Sequence, residues 1–165
     1  MKLSELKTEL NCPAKNFKDL EVAGISIDSR KVSEGDLFVC LRGVSVDRHD
    51  FAEVAVQKGA AALLVERWLD HVDVPQLLVN NCRGAWALSA SLYFGKPSKK
   101  LRFIGVTGTN GKTTTAHMIN HVLNHAGYKT AVMGTVGTFI DGKQHRQSLT
   151  TPDPIEFDEL LKKAV

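Results

Sequence analysis

The chain has 165 residues, of which 43% are hydrophobic and 24% charged, the balance of a globular protein rather than a disordered or fibrous one. Its net charge of +3 is too small to argue for a nucleic-acid partner, and no apolar run approaches the roughly 18 residues that cross a membrane. Cys12, Cys40 and Cys82 stand far apart and are odd in number, which fits neither a disulfide framework nor a zinc knuckle and agrees with a reducing compartment.

Met1 to Lys7 alternates charge with Leu and lacks the apolar core of a signal peptide, so the expected location is cytoplasmic. Leu3, Leu6 and Leu10 fall at helical spacing, predicting a helix over 2–10 that ends before Pro13. Residues 24–28 alternate like a half-buried strand. Residues 36–41 form a nearly continuous apolar run between Gly35 and Gly43 and predict a buried strand. A helix is expected over 50–58, with Asp50 as N-cap and Gly59 as the stop. Residues 61–65 and 76–79 read as two more buried strands. A helix carrying Trp86, Leu88, Leu92 and Tyr93 lies between Asn81 and Gly95.

Gly95-Lys96-Pro97-Ser98-Lys99-Lys100 breaks this alternation with Gly, Pro and charge, and reads as a solvated linker and domain boundary. A strand over 101–106, the loop Thr107-Gly108-Thr109-Asn110-Gly111 and a helix from Lys112 to about His125 follow. Residues 129–133 read as the next strand. Residues 136–140 and 144–149 suggest a hairpin joined by Asp141-Gly142-Lys143, and a last helix begins at Pro154. Strands alternating with helices make the fold class α/β.

The loop before Lys112 carries the chemistry. A Gly-rich turn between strand and helix aims several backbone N–H groups at one point, and the helix N-terminus adds its unpaired amides and dipole. Lys112 is placed to reach the terminal phosphates of a nucleoside triphosphate, and the Thr113 hydroxyl to join a Mg²⁺ shell. The usual pattern has a glycine five residues before the Gly-Lys pair. Val106 occupies that position here, so the pattern alone leaves open a strand-to-helix turn without ligand.

Thr107 to Thr115 resembles the ATP loop of the Mur ligases and their relatives, the folylpolyglutamate and cyanophycin synthetases, and the variant glycine spacing is shared with them. Residues 27–39 (Ile27-Asp28-Ser29-Arg30 through Phe38-Val39) are similar to the N-terminal domain of the Mur ligases that add the third residue and the final dipeptide. Residues 43–51 resemble the loop that follows it. Leu149-Thr150-Thr151-Pro152-Asp153-Pro154 resembles a signature of the third-residue branch, with Leu149 where relatives often carry Asn.

The resemblance implies an N-terminal α/β UDP-binding domain over 1–98 and, over 99–165, the first part of a P-loop mononucleotide-binding α/β domain. It implies that Gly108, Thr109, Asn110, Gly111, Lys112, Thr113 and Thr114 hold ATP, with Lys112 catalytic and Thr113 on Mg²⁺. Ile27, Ser29 and the loop Val44-Ser45-Val46 would surround uridine diphosphate, and Thr150 and Thr151 the sugar-peptide part of the substrate. The implied reaction joins meso-diaminopimelate or L-lysine to UDP-N-acetylmuramoyl-L-alanyl-D-glutamate through an acyl phosphate. A monomer with no nucleic-acid or membrane partner is expected.

Read without the resemblance, Asp28-Ser29-Arg30 is equally an Asx turn, and Thr150-Thr151-Pro152 a strand end before a helix. His117, His121 and His125 share one face of the helix, opposite Ile119, Val122, Leu123 and Ala126, and are expected to meet solvent or a neighbouring element rather than a metal. Asp141 could end a metal-binding strand, but Gly142 favours a turn. Relatives are longer, so the chain is expected to be an N-terminal portion of such a ligase, without amide-forming activity alone. A P-loop kinase or a non-catalytic UDP-sugar-binding module are the alternatives.

Overall fold

The computed structural model of the chain describes residues 1–145 and 151–165. They form two compact units, Met1–Tyr93 and Phe94–Val165.

The first unit is built on a five-stranded sheet. Its elements are α1 (Leu3–Leu10), β1 (Ala14–Lys15), β2 (Gly24–Ser26), β3 (Asp36–Val39), α2 (Ala52–Gln57), β4 (Ala62–Val65), β5 (Gln76–Leu78) and α3 (Cys82–Tyr93). The strand order is β1-β5-β4-β3-β2. β2 to β5 run parallel, and β1 closes one edge antiparallel. Every residue of β3 and β4 is buried, because crossover helices cover both faces of a parallel sheet. Phe38, Leu63 and Val65 share one face with Ala52 and Ala55 of α2. Leu37, Val39 and Leu64 alternate to the other face, where α3 packs on β2 and β4 and against α1.

β1 has only two residues and no sequence signal predicts it. The helix expected over 50–58 begins differently. Asp47, not Asp50, is the cap: its carboxylate accepts the His49 N–H at 3.0 Å and starts a 3-10 turn over Arg48–Phe51 that leads into α2. Two carboxylates three residues apart both suit a cap, and the tighter turn selects the earlier one. Gly59 does stop the helix, at φ +105°, where a Cβ would come within 2.8 Å of Glu34 Cα.

The second unit contains α4 (Lys112–His125), the antiparallel strands β6 (Ala131–Gly134), β7 (Gly137–Ile140) and β8 (Lys143–His145), and α5 (Pro154–Ala164). Asp141 and Gly142, at φ +47° and +76°, make the two-residue turn that pairs Ile140 with Lys143. The turn reading of Asp141 therefore holds, and the second strand begins one residue earlier than expected, at Lys143, while residues 146–149 of the expected strand lie outside the described residues.

One expected strand is absent from this unit. Residues 101–106 form no strand, because no described residue offers them a ladder, and Phe103 and Ile104 are exposed. The strand expected at 129–133 is β6, and its partner is β7 in a hairpin. The segment read as a solvated linker contains a 3-10 turn over Pro97–Lys100, with Pro97 buried, packed against α5. None of the residues of α4 is buried, and Met118 and Val122 stand open. The face of α4 turned to the hairpins carries polar groups: His117 meets Phe139 edge-on at 5.7 Å, and Asn120 Oδ1 accepts the Thr130 hydroxyl at 2.6 Å. His121 and His125 are exposed. Among the described residues, no helix is long and apolar enough to cross a membrane.

Candidate functional site

Ligands of open parallel sheets bind outside the carboxyl ends of the strands. In the first unit that edge holds a cavity of about 470 Å³ lined by Leu41, Arg42, Gly43, Val44, Glu66, Asn81 and Arg83. Leu41 to Val44 leave the end of β3, Glu66 follows β4 directly, Asn81 immediately precedes α3 and Arg83 lies in its first turn. Of the residues expected around uridine diphosphate, Val44 lines this cavity. Ser45 and Val46 belong to the same loop, exposed, without lining it, and half-buried Ile27 and Ser29 follow β2 on the same edge.

The loop after β3 is tightly held. Gly43 N–H donates to the Val46 carbonyl at 2.9 Å, and Arg48 N–H to the Leu41 carbonyl at 3.0 Å. Beneath it, buried His49 is engaged at both ring nitrogens. The Glu66 backbone N–H donates to Nε2 at 2.9 Å, so Nε2 carries no proton and Nδ1–H donates to Asp47 Oδ1 at 2.5 Å. Arg67 completes the cluster with bonds to Asp47 at 2.6 Å and Asp50 at 3.1 Å. Burial pushes the Asp47 carboxyl up, but donors from His49 and Arg67 outweigh it and bring its pKa down to about 2. A second cavity, of about 260 Å³, opens beside this cluster and shares Arg42 and Glu66 with the first.

Asp28-Ser29-Arg30 is an Asx turn. The Asp28 carboxylate accepts the Arg30 N–H at 3.0 Å and grips its guanidinium at 2.9 and 2.8 Å. The Arg30 bonds hold the Asp28 carboxyl well below the usual carboxylate range. The turn reading and the binding reading are thus compatible, since the turn presents Ser29 at its apex.

In the second unit, Gly111 takes φ +78° and Gly108 φ +148°, and α4 starts at Lys112 with no side-chain cap. The contrast with the other helices is informative. Asp153 caps α5, and at α3 the Cys82 N–H is taken by Glu66 Oε1 at 2.7 Å and the Arg83 and Gly84 N–H groups by Asn81 Oδ1. Of these three, α4 alone starts without a side-chain acceptor for its first amides, the condition for anion binding. Lys112 Nζ folds over the loop, donating to the carbonyls of Gly108 and, at 3.3 Å, Thr109. Thr109, Asn110, Thr113 and Thr114 are exposed around it. Thr151 is exposed just before α5, and Thr150 lies outside the described residues.

Arg42, Glu66, Asn81 and Arg83 were missed from sequence. Their signal was positional: each stands within a few residues of the C-terminal end of a buried parallel strand, which is where a binding edge forms.

Residues 21–83 match the sequence model described as "Mur ligase family, catalytic domain", and residues 106–165 that described as "Mur ligase middle domain". The chain belongs to the Mur ligase family. It is 41% identical over its whole length to the UDP-N-acetylmuramoyl-L-alanyl-D-glutamate--2,6-diaminopimelate ligase of Bacillus licheniformis, covering 34% of that protein. The like-named ligase of Syntrophomonas wolfei is 44% identical over 98% of the chain, which covers 33% of it. The chain thus spans about a third of the length of the curated Mur ligases it matches. Among solved structures, a ligase of the same name aligns with 86% of the chain and 29% of its own length, at 30% identity and TM-score 0.67. MurF from Acinetobacter baumannii shares the fold over 96% of the chain and 32% of its own length, with a TM-score of 0.63 at 23% identity.

Proposed function

We propose that the chain provides the UDP-binding and ATP-binding parts of an amide ligase of peptidoglycan precursor synthesis in the cytoplasm. The domain assignment within this reading is 1–98 for UDP and 99–165 for the start of the ATPase domain. The substrate is UDP-N-acetylmuramoyl-L-alanyl-D-glutamate, and the amine that of a diamino acid. The relatives' names favour meso-diaminopimelate over L-lysine.

The observation that carries the reading is the uncapped start of α4 at Lys112. Free amides, a flexible ammonium and the hydroxyls of Thr113 and Thr114 suit the polyphosphate of ATP, held by Gly108 to Thr114. Transfer of the terminal phosphoryl group to the D-glutamate carboxylate needs its charge neutralised, which is the work of Lys112 and the loop amides. The acyl phosphate is then opened by the incoming amine. Mg²⁺ would supply further charge neutralisation, and Thr113 is the residue placed to contribute an oxygen to it. Ile27, Ser29, Val44, Ser45 and Val46 are assigned to the uridine diphosphate, and Thr150 and Thr151 to the sugar-peptide part. The reading takes the chain as a monomer.

Titration calorimetry with UDP-N-acetylmuramoyl-L-alanyl-D-glutamate tests the substrate assignment. Saturable binding that competes with UDP is expected. Absence of binding by both compounds would refute it.

A further inference from the structure

Two arginines line the edge cavity. Arg42 and Arg83 both line it, both are exposed, and among the described residues neither side chain has an ionic or hydrogen-bonding partner. Arg67 beside them is different, because Asp47 and Asp50 consume its charge. The amides that open α3 cannot serve an anion either, since Asn81 and Glu66 already occupy them. Glu66 is the one carboxylate lining the cavity, and its Oε1 is bound to the Cys82 N–H. Two arginines against one carboxylate leave the cavity with a single net positive charge, carried by forks built for bidentate contact with phosphate. Its volume falls within the roughly 300–1,000 Å³ of small-molecule sites.

We propose that Arg42 and Arg83 grip the diphosphate of a uridine diphosphate sugar from two sides of this cavity and supply the affinity that separates the nucleotide from the nucleoside. The assignment rests on the UDP-binding reading above and adds the residues that recognise its charge. Val44 and Leu41 furnish the apolar wall for the rest of the ligand. Anion recognition here therefore comes from side chains, whereas the loop before α4 offers backbone amides.

Calorimetry with UDP, NMR shift titration with uridine and thermal melting of the 165-residue chain test this together. Arg42→Gln and Arg83→Gln are each expected to weaken UDP about tenfold or more. Uridine binding and the melting temperature should stay at wild-type values. Added NaCl should weaken UDP steeply in the wild type and less in the double variant. Arg42→Lys and Arg83→Lys, which keep the charge but lose the fork, should fall between. Wild-type UDP affinity in both Gln variants would overturn the assignment while leaving the UDP reading intact. Equal losses for UDP and uridine would also overturn it, since the arginines would then be shaping the cavity. Failure of the wild-type chain to bind UDP would overturn the reading and the assignment with it.

Discussion

The Nε2 atom of His49 accepts the backbone N–H of Glu66 at 2.9 Å and so ties the loop after β3 to the end of β4. The same ring reaches Asp47 through Nδ1, so one buried side chain holds two walls of the edge cavity in register. Truncation leaves the half-buried Glu66 N–H without its acceptor and removes one of the donors to Asp47. We predict that His49→Ala destabilises the first unit by about 1–3 kcal/mol in urea denaturation and weakens UDP in parallel. An unchanged denaturation midpoint would remove the ring from this role.

Asp47 sets an acid limit on the same loop. Its folded pKa, about 2, lies below the unfolded value of about 3.9, so the folded state favours the ionised form. The resulting stability is present above about pH 4 and is lost as pH falls through about 2. Comparing denaturation at pH 5 and pH 2 should show a smaller drop for Asp47→Asn than for the wild type, from a lower starting stability. Parallel pH curves for the two proteins would contradict this.

The thiols differ in accessibility. Burial pushes Cys82 up to about 12 and Cys40 higher still, while Cys12 is half-buried with a smaller upward push from burial. A disulfide reagent at pH 8 should therefore label Cys12 slowly in the native chain and leave Cys40 and Cys82 untouched. All three should react in denaturant. Rapid native labelling of three thiols would mean that the first unit opens readily.

Much of this was legible in the sequence, and the failures have a common cause. The buried runs at Leu37-Phe38-Val39 and Ala62-Leu63-Leu64-Val65 could hardly be anything but central parallel strands, and Gly111-Lys112 marks the start of α4 to the residue. The errors fall where a local pattern needs a partner distant in sequence. Phe103 and Ile104 have strand composition but no ladder beside them. Asp47 caps in place of Asp50, in a loop where His49 also bonds to Glu66, a contact that spacing cannot reveal. The arginines of the cavity escaped for the same reason: Arg42 and Arg83 are brought to one edge only by the crossover topology.

We propose two independent nucleotide sites on this chain, one for UDP on the sheet edge and one for ATP at the start of α4. Calorimetric titration of Lys112→Ala with UDP and with Mg·ATP, beside the wild type, tests this most directly. The wild type should bind both, and the variant should retain wild-type UDP affinity while its Mg·ATP affinity falls by about tenfold or more. Undiminished Mg·ATP binding by the variant, or loss of UDP binding together with Mg·ATP binding, would rule out two separate sites.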